Sequence, residues 1–519
     1  EIAYLKPGNS KAINGTDKGG QVYIDDFEGT SSGYDLRQPA ISWKLASTPR
    51  NSPDMNNHVM FPEASLTNNP EYGYNRAKIA WYRIDNSFFA PSTSPSIVTN
   101  NPDPLTNLQS HYVRLVPTQE VFPNRPNQTL DQNIYTFDIT YKPWVRGPYN
   151  YESNPTGTPG VSAGLNTDGT LKKPETRWGG IMRSIDNTDF EASNVEYIEF
   201  WVLDPFLYNT TSRGGKLIFN LGNISEDILS DSRMAYENGI YADKSTLDST
   251  TWGWVPRLPP LVNAFDNDPN LRPIQDVGLD GMSDAEEQVR KATFLSSIQW
   301  MDQTAKDKLN ADPSTDDYKY FQDETTYGNE PNVINRYMDF CGTEGNSPAQ
   351  TNSVQTTAQT SLPDKEDLNN DNTVNEDEAY FQYEVDMKPG MNATNDPYVV
   401  SDVYGTFTDA SSIKNHWLQF RIPIKSYTAQ VGNIPDFKSI QFMRMFLTNW
   451  KDSVTLRFGE LQLTRNQWVT YDQPLDEPCE QLGTDNSQSA FFNVGSVGIE
   501  ESSAKTPVNY VLPPGIQRT

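Results

Sequence analysis

One stretch restricts the possible folds more than any other, the run from Phe190 to Ile224. It reads FEASNVEYIEFWVLDPF, then a polar Gly-containing turn, then GGKLIFNLGNI. Side chains of an extended segment alternate between two faces. Tyr197, Glu199, Trp201 and Leu203 therefore share one side, and Ile198, Phe200 and Val202 share the other. A strand this apolar on both sides must be covered on both. Asn209 to Gly215 holds the residue types that bend chains, so Lys216 to Leu221 is expected to be the partner strand. The pair is expected at the centre of a β-sandwich.

Further strands are expected on both sides of this pair. Upstream they are Gln21 to Gly29, Ile41 to Leu45 and Lys78 to Asp85. Tyr135, Phe137, Ile139 and Tyr141 alternate with Thr136, Asp138 and Thr140, which predicts a half-buried strand ending at Pro143. Downstream, Phe381 to Met387 alternates cleanly, followed by Trp417 to Ile424 and Ser439 to Leu447. In Val454 to Leu463 the apolar phase slips at Gly459, as a β-bulge would produce.

Between the two groups the period changes. Ser225 opens SEDILSDSRMAYENG, which reads as a helix with acidic residues in its first turn and Gly239 just past its end. Ser283 and Glu286 form a capping box for a second helix, with Phe294, Ile298 and Met301 as its apolar stripe. Glu344 to Thr360 is a polar connector. The expected organisation is a first strand group over 1–224, a mixed helical and loop insertion over 225–378, a second strand group over 379–465 completing the sandwich, and an extended connection over 466–519. Beginning at Glu1 rather than Met, the chain is expected to be a mature or excised piece.

A net charge of −27 makes nucleic acid and anionic lipid poor partners. Aromatic residues at 12% favour strands and large buried surfaces over disorder. No run approaches the length of a membrane helix. Cys341 and Cys479 are far apart, and a long-range disulfide and two buried thiols both remain open.

Two stretches have the spacing of calcium loops, in which side-chain oxygens wrap one cation. The first carries Asp367, Asn369, Asp371, Thr373 (through its carbonyl), Asn375 and Glu378, with Asn372 where Gly is expected. The second carries Asp276, Asp280, Met282 (through its carbonyl), Asp284 and Glu287, with Gly281 at the sharp turn. Ions there would stiffen loops rather than catalyse. His58, His111 and His416 form no metal or catalytic pattern, and no nucleophile elbow, P-loop or dinucleotide fingerprint is present. Acidic pairs such as Asp25 and Asp26 arise by chance in so acidic a chain. No catalytic residue is expected. Trp43, Trp81, Trp144, Trp178 and Trp254 are candidates for stacking on sugars, but most are expected in the core or against loops.

The strand segments around Tyr23 to Gly29, Tyr197 to Val202, Ile440 to Phe442 and Leu456 to Leu463 resemble carbohydrate-binding jelly rolls of the galactose-binding type. That implies a mainly β fold, a jelly-roll-type antiparallel β-sandwich assembled from split strand groups. A closer resemblance covers nearly the whole chain. YIDDFEG (23–29), PAISWKLAS (39–47), RGPYNY (146–151), RWGGIMR (177–183), DFEASNVEYIEFWVLDPF (189–206), QDVGLDG (275–281) and PVNYVLPPGI (507–516) resemble the SprA (Sov) family. That family is the outer-membrane translocon of the type IX secretion system in Bacteroidetes. The resemblance implies a very large β-barrel that exports folded cargo and is needed for secretion and gliding motility. This chain lacks regular lipid-facing alternating segments. It is therefore expected to be a soluble cap or scaffold at the barrel mouth, on the extracellular face of the outer membrane. Its implied partners are the rest of the barrel, accessory outer-membrane proteins and secreted cargo. The alternative is a cell-surface carbohydrate-binding module.

Overall fold

The structure is a computed structural model describing residues 33–123, 132–237, 244–258, 263–266, 268, 271–317, 319–340 and 362–465. The expected strand at Gln21 to Gly29, the connector at Glu344 to Thr360, Gly239, both cysteines and the closing segment lie outside them.

Among the described residues nine strands precede residue 224. They are β1 (Tyr34–Asp35), β2 (Lys44–Leu45), β3 (Ala77–Tyr82), β4 (Val116–Pro117), β5 (Asn133–Ile134), β6 (Phe137–Arg146), β7 (Trp178–Ser184), β8 (Val195–Leu203) and β9 (Gly215–Asn223). Among the described residues only the short β10 (Leu247–Ser249) and β11 (Trp254–Pro256) fall between the two strand groups. Then follow β12 (Ala379–Met387), β13 (Val399–Thr408), β14 (Lys414–Pro423), β15 (Ala429–Val431), β16 (Phe442–Thr448) and β17 (Val454–Arg465).

Two antiparallel sheets account for most of these. One runs β13-β14-β8-β17-β6-β3, with β1 also on β17; the other runs β15-β12-β9-β16-β7-β2. Each sheet mixes strands from before residue 224 with strands from after 379, so neither group closes a sandwich alone. The chain is mainly β, consistent with the expected sandwich.

The opening stretch departs from expectation in one respect. β8 and β9 are not hydrogen-bonded partners but face each other from opposite sheets. β8 pairs with β14 and β17, and β9 with β12 and β16. A strand apolar on both sides gains most between two neighbours, and the connection from Asp204 to Gly214 is long enough to cross the sandwich. Phe200 marks the contact, with its ring 5.7 Å from Phe219 across the sheets and 4.8 Å from Phe420 beside it. Double coverage holds. Trp201 and Leu203 pack outward against Val116, Val121 and Trp417. Outside the other sheet, Ile218, Trp178 and Phe446 pack against Phe61 and Ala64.

Gly215 lies where β9 passes the buried Trp450, and a Cβ there would fall 2.4 Å from the indole ring. Gly215→Ala should therefore destabilise the chain by about 1–3 kcal/mol, the usual cost of overpacking a filled core. Urea unfolding is the check, and an unchanged midpoint would contradict the packing described.

The expected bulge is present, with the β17–β8 register shifting between Phe458 and Glu460. β6 does not stop at Pro143; its pairing with β3 jumps from Lys142 to Arg146, placing the proline in an irregular, unpaired stretch. Nor is β6 half-buried. Asp138 and Thr140 are buried with Phe137 and Ile139, and Thr136 just before the strand is buried as well. The polar face is covered because Asp138 pairs with Arg457, whose Nη1 donates to the carbonyls of His111 and Arg114.

The helix expected from Ser225 is absent, since residues 225–237 form an irregular segment. Ser230 and Ser232 take left-handed backbone angles, and Asp227 accepts from the backbone N–H groups of Asp231 and Ser232. Short acidic and hydroxyl side chains compete here with the helical ladder. The capping box at Ser283 and Glu286 does form and opens the helix Asp284–Arg290. A break at Lys291 separates it from Ala292–Ser297. Ile298 and Met301 join the main core, as do Ile228, Leu229 and Trp252, so the insertion shares the sandwich's hydrophobic cluster. Among the described residues no helix is long and apolar enough to cross a membrane.

Candidate metal centres

The first calcium-type stretch folds into a tight, self-bonded loop. Asn372, at the position where Gly was expected, has φ 64°. Asp367 is buried; one oxygen pairs with Lys365 at 2.9 Å and the other accepts from Asp371 N at 2.9 Å. Asn369 is bonded to Asp371, and Asp371 accepts from the backbone and hydroxyl of Thr373. Asn375 donates to Ile224 O at 2.9 Å. Glu378 is spent elsewhere, with both oxygens on the Arg444 guanidinium at 2.8 and 3.0 Å. The loop's carboxylates are satisfied separately and do not converge.

The second stretch divides between two acidic groups. Gly281 makes the expected sharp turn with φ 65°. Asp280 and Glu287 meet Asp316, and Asp284 meets Asp312 and Asp317, each residue offering an oxygen within 4.8 Å of the others. Met282 is buried, and its N–H donates to Asp280 Oδ1 at 3.0 Å. Asp276 lies apart, close enough to Glu237 to raise its pKa. Ser314 ties the deeper group together, its hydroxyl donating to Asp280 at 2.8 Å and its N–H to Glu287 at 2.9 Å.

Burial is the main force on these carboxyls. It pushes Glu287 up to about 9, helped by the charge of Asp280. Burial likewise carries Asp312 to about 7, with repulsion from Asp317 adding to it. Asp280 and Asp284 rise to about 6, again chiefly through burial. Lys291 is the nearby cation for the deeper group, but its Nζ donates to the carbonyls of Thr251 and Trp252. Lys319 pairs with Asp317, and a cluster of carboxylates of this kind suits a hard cation that prefers oxygen ligands. Calcium-type spacing pointed to Asp280, Asp284 and Glu287 but not to Asp312, Asp316 and Asp317. Those come from the turn after the helix Gln303–Ala311, and the acidic run DPSTDD was their only signal.

A third acidic group, Asp227, Asp231 and Glu366, joins the insertion's two ends. Reading its first two residues as a helix start concealed it.

Residues 293–519 match the SprA_N model, described as a motility related/secretion protein. Over those residues the chain is similar to the SprA family. No curated protein matches it. The SprA_N match begins within the insertion and takes in the whole second strand group, from β12 to β17. It therefore includes Asp312, Asp316, Asp317, Glu366 and the first loop, while Asp227, Asp231 and Asp276 to Glu287 precede it.

Proposed function

We propose that this chain is a non-enzymatic cap or scaffold of the outer-membrane protein-export translocon of the type IX secretion system, supporting secretion and gliding motility. The SprA_N match over residues 293–519 carries this reading. The structure is compatible with it. Two full sheets are covered inside and out, and buried charges such as Arg177–Glu152 and Arg457–Asp138 serve packing. The proposed partners are the translocon barrel, its accessory outer-membrane proteins and secreted cargo, on the extracellular face. A tagged full-length protein should co-isolate those partners. A folded variant disrupted within residues 190–224 should lose them, and full retention would count against a scaffolding role for the sandwich.

Structural calcium belongs to the same proposal, held by the acidic groups around Asp280 and Asp284. A ligand that binds only the folded state stabilises it. Adding a chelator should lower the melting temperature by several degrees, and an unchanged melt would argue against both groups.

A carbohydrate-binding module is the second reading, favoured by one observation. A cleft of about 600 Å³ is lined by Asp204, Phe206, Tyr404, Lys414 and His416. Tyr404 is 66% exposed and stacks on His416 at 4.2 Å, an aromatic platform open on one face. His416 is itself held between Asp204 and Asp402. Trp43, Trp81 and Trp178 are buried in the sandwich and offer no such face. Glycan-array binding lost on Tyr404→Ala would support this reading, and a blank array would remove it.

A further inference from the structure

We propose that Asp227, Asp231 and Glu366 form a calcium site that fastens the start of the insertion to its end. The three side chains each place an oxygen within 4.8 Å of the other two. That span is about twice a calcium–oxygen distance of roughly 2.4 Å, so a single ion can touch all three. The residues are buried, retaining 4%, 8% and 0% of their exposure in the same order.

Asp231 also holds a buried oxygen without a partner. Asp231 Oδ1 accepts from Arg233 N at 3.0 Å, but Oδ2 is buried and has no hydrogen-bond partner. The Thr250 side chain lies near enough to favour the ionised form of Asp231. A buried carboxylate oxygen left in this state is costly. The other two residues show how the site is held open. Asp227 accepts from Asp231 N and Ser232 N at 3.0 and 2.8 Å. Glu366 accepts from Leu229 N and Ala235 N at 2.9 and 2.8 Å. Each of those oxygens keeps a lone pair for an ion.

The surrounding charges leave the group short of cations. Glu376 adds a further negative charge near Asp227 and Asp231. Arg233 lies near Asp231, but its guanidinium is paired with Asp248. Arg76 feels the charge of Glu366, yet it donates to the carbonyls of Ile228 and Pro148. Lys44 pairs with Asp364, and Lys365 with Asp367. Among the described residues no Lys or Arg is hydrogen-bonded to any of the three. All-oxygen donors exclude a preference for zinc, and a loop-built site suits calcium better than the stricter octahedron of magnesium. The ion would hold segment 225–237 against segment 362–378, the two places where the insertion leaves and rejoins the sandwich. This site is independent of the translocon reading.

The test is calorimetric titration of the chelator-stripped 519-residue chain with calcium chloride at pH 7.5. Wild type should bind calcium, and Asp231→Asn should bind one equivalent fewer, or bind it at least ten-fold more weakly. If Asp231→Asn does not fold, Glu366→Gln supplies the same comparison. Wild type that binds no calcium overturns the site. So does a chain that loses calcium on Asp284→Asn or Asp371→Asn but keeps its full stoichiometry on Asp231→Asn. A cluster neutralised by protons instead would show in the metal-free melt, with Asp231→Asn more stable than wild type and no calcium response in either.

Discussion

Arg444→Ala should destabilise the chain by about 3–5 kcal/mol, the usual cost of stranding one partner of a buried ion pair. Arg444 lies on β16 and is fully buried. Its Nε donates to Asn220 Oδ1 at 2.9 Å on the neighbouring β9. Both terminal nitrogens reach Glu378, and the guanidinium sits 5.0 Å from the centre of the Tyr380 ring. Glu378 immediately precedes β12, so this one side chain links three adjacent strands. Burial already raises the Glu378 pKa, and Arg444 is the largest influence opposing that rise. Removing the arginine leaves a buried carboxyl to take up a proton or draw in water. The double variant Arg444→Met with Glu378→Gln should recover a large part of the loss, because no charge is then stranded. Urea unfolding of the two variants decides. Equal midpoints for Arg444→Ala and wild type would show that the pair does not hold the sheet.

Without calcium, the chain should lose stability as pH rises from about 5 to 8. Burial raises Glu63 and Glu226 to about 7, Asp312 to about 7 and Glu287 to about 9. For a carboxyl raised in the folded state, the fold holds a proton that the unfolded chain has already released. The stability this provides is present at acid pH and is lost as pH climbs through the folded value. Carboxyls held low, such as Asp339 and Asp323, titrate below this window and do not oppose the trend. His111, lowered by burial, works the other way but is a single group against several. The melting temperature in chelator should be at least about 5 °C higher at pH 5.5 than at pH 8, and calcium should reduce the share of that difference carried by Asp312 and Glu287. A melt that rises with pH in chelator would contradict the burial of these carboxyls.

What could be read from the sequence was mostly local. Ile198, Phe200 and Val202 alternating with Trp201 and Leu203 announced a doubly covered strand, and β8 is one. The phase slip at Gly459 announced a bulge, and Ser283 with Glu286 announced a helix start. Pairing was harder. Nothing in the turn from Asn209 to Gly215 says that β9 crosses to the facing sheet, because a hairpin and a crossing connection draw on the same residues. The helix expected at Ser225 failed for a related reason. Acidic residues in a first turn and acidic residues folded onto their own backbone look alike in one dimension, and Ser230 and Ser232 carry no mark of their left-handed angles. The acidic groups were half legible. Loop spacing found Asp280, Asp284 and Glu287, whereas their companions Asp312, Asp316 and Asp317 arrive through tertiary packing. In the first loop Glu378 is claimed by Arg444, a partner supplied from a distant strand that loop spacing does not reveal.

We propose that this region is a working part of a protein-export machine. The most direct measurement is export of a type IX cargo from cells whose full-length protein lacks this region yet still reaches the outer membrane. Cargo should then stay inside the cell, and gliding should be lost. Normal export and gliding from such cells would contradict it.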